Sequence, residues 1–157
     1  MDSWRTTYPG IVPEDFLCRL SYRAFERRWS KSLDKGEDLT FVAGPPEVGR
    51  EGDPDEVVGF ASGGPRRSES YPEYAGELYA IYLLQNHRRG GLGGALFESV
   101  VDGLRQRGLY SMLLHVMEEN RPARRFYEQR GGELLGRDEF EVKGQKIKEL
   151  VYGWRAV

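Results

Sequence analysis

The chain has 157 residues, 39% hydrophobic and 31% charged, a composition typical of one globular domain, residues 1–157, with no room for a second. The formal net charge of −2 excludes the strongly basic domain expected of a nucleic-acid-binding protein, and no apolar run is long enough to span a membrane. A lone Cys18 excludes an internal disulfide, and the chain opens without a signal-peptide pattern, so we predict a cytoplasmic protein whose partners are neither nucleic acid nor membrane.

Short periodic segments predict the elements of the first half of the chain. In "PEDFLCRLSYRAFERRWSKSL", from Pro13, apolar residues recur at helical spacing after a proline suited to a helix start, which predicts one helix with Cys18 as a buried apolar residue. The segments "LTFVAG" (39–44) and "EVVGFASGG" (56–64) are rich in β-branched and aromatic residues and flank a loop of prolines, glycines and acids. We therefore expect two antiparallel strands there.

The second half of the chain contains one strand–helix–strand crossover. "GELYAIYLL" (76–84) predicts a strand, residues 92–107 a helix, and "YSMLLHVME" (110–118) a second strand. Such a crossover is right-handed and makes its two strands parallel. A short helix at 121–130 and a closing hairpin that turns near Gly144 complete an α/β fold of the α+β type, with a mixed, mostly antiparallel central sheet flanked by helices.

The loop that opens the crossover helix carries four glycines, in "HRRGGLGGALF" (87–97). Amides at a helix N-terminus have no intrahelical partner and attract anions, and glycines let a bulky anion approach the backbone. Residues 85–130 hold eight arginines and five acids, a local excess of three positive charges in a chain whose net charge is −2. The loop is therefore a predicted anion-binding site. Its spacing fits neither the P-loop nor the dinucleotide fingerprint, since Leu96 stands where the latter needs a third glycine.

The hexapeptide Arg88-Arg89-Gly90-Gly91-Leu92-Gly93 resembles the pyrophosphate-binding motif Arg/Gln-x-x-Gly-x-Gly/Ala of the GCN5-related N-acetyltransferases (GNAT). The segment "ENRPARRFYEQRGG" is similar to a second motif of that family, and the resemblance runs from about residue 39 to the C-terminus. It implies the family's acyl-CoA N-acyltransferase fold, an N-acetyltransferase activity and acetyl-CoA as cosubstrate. The resemblance assigns acetyl-CoA binding to Leu83, Arg88, Arg89, Gly90, Gly91, Leu92, Gly93, Gly94 and Asn120.

The resemblance also implies two catalytic residues. Tyr127, in the second motif, would stabilise the departing CoA thiolate by a hydrogen bond, because a phenol is less acidic than a thiol and full proton transfer is uphill. Glu77 precedes Arg88 by the offset of the catalytic glutamate in histone-acetylating members of the family, and would act as the base. A glutamate is ordinarily too weak a base to deprotonate an ammonium in one direct step, so Glu77 would need either a water relay or a raised carboxylate pKa, and Glu118 and Glu119 stay open as alternative bases.

The acceptor is predicted to be a primary amine of a small molecule or an amino-acid-like compound. This interpretation rests on aromatic residues that would suit such an acceptor, namely Trp4, Tyr8, Tyr71, Tyr74 and Tyr79. Asn120 would either bind the cofactor's amide or cap the helix that follows it. The alternative function is a degenerate acyl-CoA-binding sensor that does not turn the cofactor over.

Two further expectations concern assembly and metals. Members of the family usually begin with a strand, which this sequence lacks, so we expect the first strand to be missing. Either the natural chain starts further upstream, or the sheet edge is left open or is covered by another subunit in a homodimer. His87 and His115 form no metal-ligand spacing with carboxylates or the cysteine, so no metal is predicted.

Overall fold

The computed structural model describes residues 2–36, 38–45 and 56–157, and most of the predicted loop between the first two strands lies outside these ranges. The helices are α1 (Asp2–Thr7), α2 (Glu14–Cys18), α3 (Tyr22–Lys35), α4 (Leu92–Gln106) and α5 (Arg121–Glu128). The strands are β1 (Leu39–Ala43), β2 (Gly59–Pro65), β3 (Gly76–Leu83), β4 (Met112–Met117), β5 (Glu133–Val142) and β6 (Gln145–Trp154). Within the described ranges, no helix is both long and apolar enough to cross a membrane.

The six strands form one mixed sheet in the order β1-β2-β3-β4-β6-β5. Every neighbouring pair is antiparallel except β3 and β4, which are parallel and joined through α4, so the predicted sheet type and the predicted crossover are confirmed. The first strand in the described part of the chain, β1, follows three helices and lies at one edge of the sheet.

The parallel pair is short. Only Gly76 with Met112 and Glu77 with Leu113 are in register between β3 and β4 within the described ranges, although both strands continue for several residues. Beyond these two pairs the strands are not bonded to each other, which opens the sheet along the second half of β3. This opening positions the candidate site.

The predicted single helix from Pro13 is wrong, because the structure has two helices there. Helix α2 ends at Cys18 and α3 begins at Tyr22, with Ser21 in an extended conformation (φ −106°, ψ 125°) at the N-cap of α3. Serine is a favoured N-cap residue, and this start breaks the helical period. The break turns Leu17 into the core and leaves Cys18 exposed, so the predicted burial of Cys18 is wrong as well.

The two faces of the sheet bury different elements. Helices α4 and α5 pack on one face, where Leu96, Val100 and Leu104 lie in the largest apolar cluster. The N-terminal segment, with Val12 and Leu17, packs on the other face against Met117, Ile147 and Tyr82. Burial of these apolar side chains supplies the main driving force for folding.

Strand β3 contains one extra residue relative to β2. Gly63 pairs with Leu78 and Ser62 pairs with Ala80, so Tyr79 has no partner on β2 and forms a β-bulge. Paired residues project from the same face of a sheet, and the extra residue reverses the alternation along β3. The closing hairpin has its predicted turn, in which Lys143 and Gly144 both have positive φ (49° and 82°), as a type I′ turn requires.

Candidate active site

A cavity of about 1080 Å³ lies where β3 and β4 separate. Its walls are residues 77–83 of β3, residues 114–117 of β4, the start of α4, the inner side of α5 and the N-terminal segment around Tyr8. The opening between the strands lets groups from both faces of the sheet meet in one space. This cavity collects most of the residues predicted from the sequence.

The start of α4 presents free amides to the cavity. Gly91 is its N-cap in the left-handed conformation (φ 86°), and Ala95 is the first residue whose amide bonds to the helix, at the Gly91 carbonyl. The amides before Ala95 therefore have no partner inside the helix and carry the positive end of its dipole. Of the predicted loop residues, the lining includes Arg88, Arg89, Gly91, Gly93 and Gly94, whereas Gly90 and Leu92 are not among them.

Arg88 connects the end of β3 to the N-terminal helix. Its Nε donates a hydrogen bond to the Leu83 carbonyl at 3.2 Å, and its Nη2 donates to the Thr7 hydroxyl at 3.0 Å. Leu83 and Arg88, both predicted to bind the cofactor, are thus bonded to each other. Because a carbonyl oxygen has two lone pairs, Leu83 can still accept a second hydrogen bond.

Arg130, at the end of the α5 region, has its guanidinium folded back over the start of α4. The guanidinium carbon lies 3.8 Å from the centre of the Phe126 ring, and a Cβ on Gly94 would lie 2.5 Å from Nη2. Its buried Nε makes no hydrogen bond within the described residues. Arg130 was not among the residues assigned to the cofactor from the sequence.

Tyr127 lies on α5 and reaches the cavity from the face of the sheet that carries α4. Its side chain is 7% exposed, and the rings of Phe126 and Trp154 contact it edge-on at 5.3 Å and 6.4 Å between centroids. Burial, assisted by the nearby Tyr8, raises the pKa of the Tyr127 phenol far above its usual range, and Arg130 opposes this only in part. The phenol therefore stays protonated and can donate a hydrogen bond.

Three aromatic side chains form a wall on the opposite side of the cavity. The hydroxyls of Tyr8 and Tyr82 are 3.4 Å apart, and the Trp4 ring packs edge-on against Tyr8 at 4.7 Å. Burial raises the pKa of both Tyr8 and Tyr82, so both phenols are neutral. Tyr82 was not among the aromatic residues predicted for the acceptor pocket, although it lines the cavity. Tyr71 and Tyr74, predicted for the acceptor pocket, lie in a separate apolar cluster instead.

Glu77 is buried at the closed end of the cavity, where β3 and β4 are still paired. Its Oε2 accepts a hydrogen bond from the Arg67 backbone amide at 2.7 Å, and none of the described residues forms an ion pair with it. The Arg67 guanidinium instead stacks on the Tyr79 ring at 3.3 Å and pairs with Asp38 at 2.9 Å. Tyr79 in turn donates to the Pro65 carbonyl at 2.5 Å. The carboxylate of the predicted base is therefore held by the Arg67 backbone amide, and the Arg67 side chain is itself held by Tyr79 and Asp38.

A second carboxylate in the cavity, Glu149 on β6, was missed by the sequence analysis. Its Oε2 lies 3.8 Å from Nδ1 of His115 on β4, and both residues line the cavity. Burial raises the pKa of Glu149, Asp138 and Glu77 add to this effect, and His115 opposes it. The available signal was the alternation in "KIKELVYGW", where Glu149 shares its phase with the buried Ile147.

The remaining predicted residues divide between the cavity and the surface. Asn120 lines the cavity and also caps α5, because its Oδ1 accepts a hydrogen bond from the Ala123 amide at 3.3 Å. The alternative bases are not among the lining residues: Glu118 contacts Arg137 at 3.5 Å, and Glu119 is exposed. Across the described ranges, no group of three or more histidine, cysteine or acidic side chains is placed to hold a metal ion.

Comparison with known proteins identifies the family. A model described as the acetyltransferase (GNAT) family matches residues 4–132, which is most of the chain. The chain belongs to the GNAT acetyltransferases. An uncharacterized N-acetyltransferase of Bacillus subtilis (strain 168), YuaI, is 43% identical over 154 residues, covering 98% of this chain and 82% of YuaI. GNAT membership makes the chain an acetyl-CoA-dependent N-acetyltransferase.

Solved structures share the GNAT fold. Arabidopsis thaliana NAA60 in complex with a bisubstrate analogue aligns with a TM-score of 0.69 at 18% identity, covering 82% of this chain and 80% of that one. The PaiA N-acetyltransferase of Thermoplasma acidophilum in complex with coenzyme A aligns with a TM-score of 0.64 at 18% identity, covering 95% and 85%. The free amides at the start of α4 and the unpartnered Nε of Arg130 suit an anionic group such as the pyrophosphate of acetyl-CoA.

Proposed function

We propose that this GNAT acetyltransferase moves the acetyl group of acetyl-CoA to a primary amine of a small molecule or an amino-acid-like acceptor. The observation that carries the proposal is one cavity that combines the free amides of α4, the phenol of Tyr127 and the carboxylate of Glu77. Acetyl-CoA supplies an acetyl thioester that is activated toward attack by an amine. The chain's own residues supply binding, orientation and the handling of one proton.

Cofactor binding is proposed for the start of α4 and the neighbouring backbone. The amides around Gly91 and Gly93 would hold the pyrophosphate, with charge from Arg88 and Arg89, and the Leu83 carbonyl would accept from the pantetheine arm. A Cβ at Gly93 would already be in van der Waals contact with Leu83 and Phe126 at 3.4 Å, so a side chain larger than a methyl group would crowd them. Asn120 has the smaller part, because its side-chain oxygen already caps α5.

The proposed chemistry needs one base and one hydrogen-bond donor. The amine nitrogen forms a bond to the acetyl carbonyl carbon while the thioester C–S bond breaks, and the sulfur leaves as a thiolate. Glu77 takes the proton lost by the amine, directly or through water, and Tyr127 donates a hydrogen bond to the thiolate. The products are an N-acetylated amine and CoA.

A small acceptor is favoured over a protein chain because the N-terminal segment covers part of the cavity. Trp4 and Tyr8 line it, and Arg88 holds the end of α1 by its hydrogen bond to Thr7. Such a covered pocket leaves room for a compact amine beside Glu77. The location of the protein in the cytoplasm and its association as a homodimer through the β1 edge remain proposals, which fractionation and sedimentation velocity would test.

Thiol release tests the proposed function. The purified protein is mixed with acetyl-CoA and a panel of primary amines, and free CoA is measured with a thiol reagent. We expect release with at least one small amine and none without an acceptor. Binding of acetyl-CoA in calorimetry, with no release for any amine or peptide, would contradict the proposal and favour the sensor.

A further inference from the structure

The charged residues that line the cavity divide by element. The positive side chains belong to the loop before α4 and to α5: Arg88, Arg89, Arg125 and Arg130. The carboxylates in the lining, counted over the described residues, are Glu77 on β3 and Glu149 on β6. The cavity therefore offers positive charge where phosphates would bind and negative charge along the sheet. The proposed acetyl transfer needs one base, and Glu77 fills that role. It gives no role to the second carboxylate, Glu149.

The strand register places the two carboxylates on one face of the sheet. Glu77 pairs with Leu113, and Glu149 pairs with Met117 four residues further along β4. Because side chains alternate along a strand, Leu113 and Met117 share a face, and their partners project from that same face. This is the face covered by the N-terminal segment. Both carboxylates therefore point toward the space that remains for the acceptor.

Neither carboxylate has a lysine or arginine partner within the described part of the chain. Glu77 accepts a backbone amide from Arg67, and Glu149 has the His115 ring at 3.8 Å. Glu149 is partly buried, and its pKa is raised by burial and by neighbouring acids that include Glu77. A carboxylate in this setting is stabilised in its charged form by a cation that binds beside it.

The aromatic wall on this same face of the sheet suits an alkyl ammonium. Trp4, Tyr8 and Tyr82 present aromatic surface and neutral phenols to the cavity. Aromatic faces attract cations and pack against methylene groups without excluding either. An aliphatic chain that ends in an ammonium would therefore find apolar contact along the wall and a carboxylate at its end.

The chemistry separates the roles of the two nitrogens that such an acceptor would carry. The attacking nitrogen reacts as a free amine, so it has lost its positive charge when the bond to carbon forms. A neutral nitrogen gains little from a second carboxylate. We infer that the acceptor is a small aliphatic diamine, and that Glu149 binds the ammonium that is not acetylated while the other nitrogen reacts beside Glu77. This inference rests on the proposed acetyltransfer and names its substrate class.

The reaction balances with one nitrogen left charged. One amine of the diamine gains the acetyl group and gives up a proton, CoA leaves as the thiolate, and the second nitrogen stays an ammonium throughout. The product therefore keeps its contact with Glu149 until it dissociates. Glu149 acts here as a specificity residue, because it contacts the acceptor without taking part in the bond changes.

A matched pair of acceptors tests the inference. Putrescine and butylamine have the same carbon chain and differ in the second amine. We expect kcat/KM for putrescine to exceed that for butylamine by roughly tenfold or more, the range of one hydrogen bond to a charged group. Equal values, or a free peptide N-terminus that is acetylated faster than putrescine, would overturn the diamine inference while leaving acetyltransfer in place.

The variant Glu149→Gln isolates the carboxylate. It keeps the side-chain shape but removes the charge, so KM for putrescine should rise about tenfold with kcat little changed, while both constants for butylamine stay near wild type. Glu119→Gln is the matched control, because Glu119 is exposed and lies outside the cavity lining. A Glu149→Gln enzyme with the wild-type KM for putrescine would overturn the role of Glu149.

Binding without turnover provides a second readout. Putrescine alone should raise the melting temperature of the wild-type protein, butylamine should do so less, and Glu149→Gln should lose the difference. Failure of every amine to release CoA despite acetyl-CoA binding would count against the proposed function itself. Release with monoamines but no preference for diamines would count against this inference alone.

Discussion

Arg130 holds its guanidinium carbon 3.8 Å above the ring of Phe126, and so places a positive charge beside the start of α4. The N-terminus of a helix is itself positive, and the described residues include no carboxylate within salt-bridge distance of Arg130. Like charges are therefore held together in the free protein, with the buried Nε lacking a hydrogen-bond partner. A bound phosphate would neutralise the neighbouring positive charges and would give the Arg130 Nε a hydrogen-bond acceptor.

The first prediction concerns Arg130→Met, which keeps the apolar stem over Phe126 and removes the charge. We expect the affinity for acetyl-CoA to fall roughly tenfold, the range of one charge-assisted hydrogen bond, while the melting temperature of the free protein stays equal or rises. Calorimetry and thermal denaturation measure the two quantities. Arg121→Met, an exposed position on the same helix, is the control, and unchanged affinity in Arg130→Met would exclude a phosphate contact.

The second prediction concerns the phenol of Tyr127. Tyr127→Phe keeps the ring packing against Phe126 and Trp154 but removes the hydrogen bond to the leaving sulfur, so kcat should fall roughly 10- to 1,000-fold with acetyl-CoA affinity nearly intact. Because burial raises the pKa of this phenol far above its usual range, wild-type activity should show no loss from phenol ionisation as the pH approaches 10, the usual tyrosine value. A wild-type single-turnover rate in Tyr127→Phe would remove the residue from the mechanism.

The third prediction concerns the effect of the Glu149 charge on the folding stability of the free protein. Burial, Asp138 and Glu77 raise its pKa and His115 opposes them, so folding favours the protonated acid. This contribution to stability is fully present below the unfolded-state pKa and is lost as the pH rises through the raised value. Glu149→Gln should therefore melt at a higher temperature than wild type at neutral pH, and the difference should shrink on acidification. If the two melting temperatures differed by the same amount at every pH, the raised pKa of Glu149 would not be the cause of the difference.

The fourth prediction compares two glycines of the loop that both have open space around the Cβ position and differ in backbone conformation. Gly91 has φ 86° with open space around its Cβ position, so Gly91→Ala should cost about 1–2 kcal/mol of stability through strain and should weaken acetyl-CoA binding. Gly90 has the same open space without a positive φ, so Gly90→Ala should change stability by less than about 0.5 kcal/mol. Chemical denaturation of the two variants makes the comparison. Equal stabilities would mean that α4 does not need this N-cap conformation.

Local patterns were sufficient for the glycine loop and the crossover. The residues around Gly91 are adjacent in sequence, so their spacing alone predicts a loop that opens a helix. The strand, helix and strand of the crossover also follow one another directly, and that order predicts a parallel pair. Both features are local in the chain, whereas the roles proposed for the glycine loop and Tyr127 stay predictions.

The parts that sequence reasoning missed depend on contacts between distant segments. Glu149 reaches the cavity only because β6 pairs with β4. Its alternation with Ile147 places it on the covered face of the strand, but that pattern does not say that a cavity lies there. Arg130 looked like one of several arginines on an exposed helix until the position of Phe126 was known. The break between Cys18 and Tyr22 was hidden because a serine N-cap does not interrupt an apolar period that is read by residue type alone.

The unpaired Tyr79 on β3 has a consequence for how this protein can vary. Glu77 and Tyr82 are five positions apart, and in a regular strand they would project from opposite faces of the sheet. The single extra residue between them brings both into the same cavity. Removal of one residue between Glu77 and Tyr82 would therefore place the proposed base and the aromatic wall on opposite faces of the sheet without altering either side chain.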